Sequence, residues 1–89
     1  MANQHPTSQN TDSNILDRIT QLVDEEHQLT KRAETHGLDE EEHARMGELE
    51  VNLDQCWDLL RQRRARRHAG QDPDEAHVRD ASTVEHYKQ

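Results

Sequence analysis

Two segments of this 89-residue chain, Asp24-Glu25-Glu26-His27 and Glu40-Glu41-Glu42-His43, place a carboxylate three residues before a histidine. On a helix that spacing brings both groups to one face, and helical bundles build di-iron and di-manganese centres from it. With 7 His and 19 Asp plus Glu in the chain, the same pattern also arises as the solvated face of an acidic helix, and that is the reading adopted. The lone thiol, Cys56, has no second cysteine with which to form a disulfide or a metal site. Its expected role is that of a small buried hydrophobe. No glycine-rich phosphate loop, nucleophile elbow or zinc-finger spacing occurs, so the expectation is no catalytic residue, no metal, no cofactor and no small-molecule substrate. The one dense basic cluster is Arg61, Arg63, Arg64, Arg66 and Arg67.

These groups need elements to hold them, and the periodicity supplies two. Asp12 and Ser13 are good helix-capping residues, and from there apolar side chains recur at Ile15, Ile19, Leu22 and Leu29, with Glu26 and Ala33 in the same register. The pattern stops at Gly37, placed to take the left-handed conformation that ends a helix. Asp39 and Glu42 form a capping-box pattern, and Met46, Leu49, Leu53, Cys56 and Leu60 continue the alternation of three and four until Gly70. The spacing therefore predicts helices over about 13–36 and 40–69. Asp72-Pro73-Asp74-Glu75 reads as the start of a short third helix over about 73–80, followed by Val84 and Tyr87 in an extended or loosely docked end. Residues 1–12, nearly devoid of apolar side chains, read as a flexible tail.

The two ladders mirror each other. Ile15 with Leu60, Ile19 with Cys56, Leu22 with Leu53, Glu26 with Leu49, Leu29 with Met46 and Ala33 with Glu42 each have numbers adding to 75, which centres the mirror between Gly37 and Leu38. Two antiparallel helices joined by a tight turn produce that coincidence, whereas one long rod would carry Gly37 in its middle. The fold expected is thus all-α: an antiparallel, coiled-coil-like hairpin over 13–69 with a short C-terminal helix in 70–89. In this register His27 and His43 are staggered by several residues, which argues against a shared metal site within one hairpin.

Composition limits what such a hairpin can do alone. Only 29% of residues are hydrophobic, 34% are charged, the net charge is −8, and there is no Phe, one Trp and one Tyr. A two-helix unit has one inner face, yet Leu16, Val23, Val51, Trp57 and Leu59 fall off it. A second surface must cover them, either by self-association into a four-helix bundle, the preferred expectation, or by the C-terminal segment folding back. The first residues show no basic region followed by an apolar run, and the longest apolar stretches are pairs, so a cytoplasmic address without export signal or membrane span is expected.

Counting along the register, the arginine block lies opposite residues 8 to 14 and is expected to project past the hairpin. Three readings compete for it: stabilising the helix C-terminus while pairing with Asp72, Asp74 or Glu75, binding an acidic protein, and contacting nucleic-acid phosphates. The overall negative charge and the scarcity of aromatics weigh against the last. The function expected is that of a non-catalytic interaction protein, a homodimer or the binder of a protein partner. Its contacts would be Trp57 and the arginines, and a nucleic-acid or ribosome-associated role stands as the alternative.

Beyond these features, Glu25-Glu26-His27, Glu42-His43-Ala44-Arg45, Leu49-Glu50-Val51, the string LDQCWDLLRQRRARR (Leu53 to Arg67) and AG-x-DPDEA-x-VR (Ala69 to Arg79) resemble an uncharacterised actinobacterial family, domain of unknown function 2630. The resemblance spans about residues 14 to 89. It implies a short bacterial cytoplasmic protein and carries no catalytic or binding residues with it.

Overall fold

A computed structural model describes residues 11–85, with no side-chain statement for Glu85. Of the tail expected over residues 1–12, residues 1–10 lie outside the described residues, as does Tyr87, whereas Thr11 and Asp12 form the cap and first residue of a helix. Helix α1 spans Asp12–His36 and α2 spans Glu40–His68; a 3-10 turn at Pro73–Glu75 and a short helix α3 at Ala81–Glu85 follow. The architecture is the all-α hairpin with a short C-terminal helix, and no strand occurs among the described residues.

The helix ends are set by side chains. Thr11, rather than Asp12 or Ser13, caps α1 by accepting from the Asn14 amide at 3.2 Å, so the helix opens one residue earlier than the sequence implied. Asp39 and Glu42 close the expected capping box, the Asp39 carboxylate accepting from the Glu42 amide at 2.8 Å and the Glu42 carboxylate accepting from the Asp39 amide at 3.1 Å. Between the two helices Gly37 has φ +74° and ψ 175°, a conformation essentially confined to glycine. At the far end of α2 the Gln71 amide donates to the Arg66 carbonyl and the Gly70 amide to the Arg67 carbonyl, with Gly70 at φ +74°. That is the Schellman pattern, and it turns the chain back toward α2.

Ile15, Ile19 and Leu22 of α1 meet Leu49 and Cys56 of α2 in one buried cluster, against which Leu29, Leu53 and Leu60 pack half-buried. Met46, expected in this core, is likewise half-buried near the turn, where the helices meet fewer neighbours. The register reaches further than the apolar ladder, since Asp12 and Arg63, whose numbers also add to 75, form an ion pair.

The C-terminal quarter departs from the sequence reading. The third helix expected over 73–80 stops after one 3-10 turn: Ala76 adopts ψ 147° and the chain runs without helix until Ala81. The physical reason is competition, because an extended backbone lets the carbonyls of His77 and Arg79 accept from Gln62 and Gln55 on α2, bonds that a helix would consume internally. This strap buries Leu59 together with Ala76, and Val84, expected to be loosely held, is only 1% exposed. Folding back of the C-terminal segment thus covers one flank of the hairpin.

Candidate functional site

Taking 100° per residue, α2 presents Leu49, Leu53, Cys56 and Leu60 to α1, Gln55, Leu59 and Gln62 to one side, and Glu50, Trp57 and Arg64 to the other. The strap occupies the first side. Its anchor is Asp58, fully buried on the back of α2, whose carboxylate accepts from Arg79 Nη2 at 2.5 Å and Nε at 3.0 Å and from Gln62 Nε2 at 2.9 Å. Gln62 reads the strap backbone in both directions, donating to the His77 carbonyl at 2.6 Å and accepting from the His77 amide at 3.4 Å. Burial pushes the Asp58 carboxyl up, but the hydrogen bonds from Arg79 and Gln62 outweigh it and leave the group below its ordinary range. Periodicity missed Asp58, Gln62 and Arg79 because a polar residue opposite the apolar seam reads as solvated, and no spacing signal connects it to an arginine 21 residues away.

The arginine block does not project freely, which corrects the expectation drawn from the register. Arg63 is 6% exposed and bridges Asp12 (2.5 Å) and Asp74 (2.9 Å), Arg67 pairs with Asp12 (2.9 Å), and Arg66 reaches Glu75 at 3.5 Å. Hydrogen bonds from Arg63 and then Arg67 hold the Asp12 carboxyl below its ordinary range. The tail turns back at Gly70, so its acids reach the block; the pairing with Asp74 and Glu75 contemplated from the sequence is present, and Asp12 joins it. Arg61 and Arg64 lie on the outer surface.

One carboxylate of each Glu/His segment is also engaged. Glu25 binds Arg45 through two hydrogen bonds of 2.6 and 2.8 Å, and Glu42 serves the capping box and pairs with Arg32 at 2.8 Å. Among the described residues, no three of His, Cys, Asp or Glu converge as metal ligands would. Cys56 is buried, and burial pushes its thiol up, which makes it a poor nucleophile. Beside it lies a cavity of about 70 Å³ lined in part by Arg18, Gln55 and Val78.

The other flank is open. Leu16, Val23 and Trp57 are each nearly half exposed, at 46%, 45% and 45%. Leu16 and Val23, one heptad apart on α1, turn toward the same side as Trp57, because antiparallel helices bring like angular offsets together. A shallow groove lined by Glu26, Glu50, Leu53, Asp54 and Trp57 runs between the helices there. Of the residues singled out for interaction, the structure therefore leaves Trp57, Arg61 and Arg64 on this side and turns Arg63 inward.

The two sequence strings, Leu53 to Arg67 and Ala69 to Arg79, are the two halves of the clamp: Asp58 meets Arg79, Arg63 meets Asp74, and Gln62 meets His77. The chain matches the family described as protein of unknown function, DUF2630, over residues 11–89. It belongs to this family. The match begins at Thr11, so it takes in the α1 cap and Asp12, the partner of Arg63. Uncharacterized proteins of Mycobacterium bovis and of two Mycobacterium tuberculosis strains are similar to this DUF2630 chain, 51% identical over 78 residues, 86% of this chain and 90% of theirs. No solved structure matches the chain. No helix among the described residues is long and apolar enough to cross a membrane.

Proposed function

We propose that this DUF2630 chain is a non-catalytic interaction module that offers the Leu16, Val23 and Trp57 flank to another protein by helix-to-helix contact. The supporting observation is the asymmetry of the hairpin: one flank is sealed by the strap, while the other leaves the sole tryptophan and two aliphatic side chains nearly half exposed in one strip. Exposed apolar strips edged by charge are where helical proteins bind, and tryptophan is the side chain most enriched at binding hot spots. Phosphate binding by the arginine block is the weaker reading, because Arg63, Arg66 and Arg67 are held by carboxylates of the same chain.

The test uses the tagged full chain and its Trp57→Ala variant as baits in host extract, with and without nuclease. A polypeptide retained by the wild type, lost with Trp57→Ala and indifferent to nuclease is the expected result. Capture that depends on nucleic acid, or a protein profile unchanged by the substitution, would overturn the reading.

A further inference from the structure

Along the open flank of α2, Glu50, Asp54, Trp57, Arg61 and Arg64 follow one another at steps of four, three, four and three, the spacing of a second heptad seam beside the one used within the hairpin. Glu50, Trp57, Arg61 and Arg64 are exposed, and Asp54 is half-buried against the groove. Their order is two acids, tryptophan, two bases. A ladder of this kind is complementary to its own reverse. If a second copy of α2 lies antiparallel with Trp57 on the two-fold axis, residues whose numbers add to 114 come opposite each other: Trp57 meets Trp57, Glu50 meets Arg64, and Asp54 meets Leu60, one residue from Arg61. Glu50 faces Arg64 twice over, and Asp54 comes within one residue of Arg61 of the second copy. Parallel pairing would instead set acids against acids and bases against bases.

We infer that the occupant of the open flank is a second copy of this chain, docked α2 against α2 about a two-fold axis through Trp57. The inference rests on the reading of this flank as an interaction surface and names its partner. Glu50 and Arg64 each lie seven residues from Trp57, about 10 Å along the helix at 1.5 Å per residue, so they form the rims of a patch with an apolar centre. Leu16 of α1 falls close to the level of Trp57 in the hairpin register and joins that centre. Stacking two hairpins this way gives a four-helix bundle in which each strap remains on the outside. The symmetry is isologous, so each substitution acts at two places at once.

The full chain carries one tryptophan, which makes the interface its own reporter. Sedimentation equilibrium across a micromolar concentration series is expected to show a monomer–dimer equilibrium, with Trp57 emission moving to the blue in step with dimer formation. Glu50→Arg and Arg64→Glu are each expected to weaken the dimer on the order of tenfold or more at low salt, since each turns two attractive pairs into like-charge pairs. The double variant Glu50→Arg/Arg64→Glu is expected to restore it to near wild type, while circular dichroism checks that each variant keeps its helices.

A chain that stays monomeric with Trp57 emission at its exposed position overturns the inference, and so does a monomer with buried Trp57, which would place a terminal segment of the same chain on the flank. A dimer indifferent to both charge reversals, or not rescued by the double swap, also overturns the register. If any of these results comes with continued Trp57-dependent capture of another polypeptide, the module reading stands and only the self-pairing falls.

Discussion

At the residue scale the most consequential group is Asp58, because a fully buried carboxylate is tolerable only while its three hydrogen bonds persist. Asp58→Ala removes the charge and strands Gln62 and Arg79. Since Arg79 is one-third exposed and can recover water, the expected loss is about 2–3 kcal/mol rather than the larger cost of a sealed pair, measurable by urea unfolding. The same chemistry sets the acid response. Both Asp58 and Asp12 have folded-state pKa values below the ordinary value near 3.8. A carboxylate depressed on folding adds stability that is fully present above its unfolded pKa and is lost as the pH falls through its folded value. Unfolding free energy is therefore expected to be insensitive to these two groups above about pH 5 and to decline as pH drops below about 4. With Asp58→Asn, the part of that decline due to Asp58 should vanish; an unchanged acid profile would remove Asp58 from the account.

At the element scale, glycines in opposite settings give opposite predictions. Gly37 holds φ +74° and ψ 175° in the turn, so Gly37→Ala forces an L side chain into a region it avoids and should cost roughly 1–3 kcal/mol. Gly47 is inside α2, and a Cβ there meets nothing within 4 Å. Gly47→Ala should thus stabilise the protein by roughly 0.5–1 kcal/mol through helix propensity alone. Thermal melts of the two variants moving in opposite directions would confirm that the hairpin turn, rather than helix content, is the strained element. Leu49, wholly buried where α1 crosses α2, sets the scale for core truncation: Leu49→Ala is expected to cost roughly 2–5 kcal/mol.

For the whole molecule the strap decides the architecture. It turns a hairpin with two bare flanks into one with a sealed flank and an open one. A chain ending at Gly70 loses Arg79, Ala76 and Val84 together, leaving Asp58 without its cation and Leu59 without cover. The truncated chain is expected to melt at a lower temperature and less cooperatively. Cys56, which lines the cavity that Val78 borders, should then react with a thiol reagent much faster than in the full chain. Equal reactivity of the two chains would show that the strap does not shield the core.

How much of this was legible in one dimension follows from the range of each interaction. The hairpin was readable because its determinants are local or periodic: Asp39 and Glu42 cap a helix three residues apart, Gly37 permits the turn, and mirrored ladders from Ile15 and Leu60 inward tell of antiparallel packing. Trp57 off the seam already marked a side chain in need of a second surface. The sequence alone could not show that residues 76–80 exchange helical hydrogen bonds for those offered by Gln55 and Gln62, that Asp58 is a buried anchor rather than a solvated acid, or that Arg63 turns inward. Each of these depends on groups far apart in the chain meeting at one place, and a pairwise free energy of that kind leaves no period to read. Only the tertiary structure decided which flank was closed, and by doing so it left the other open.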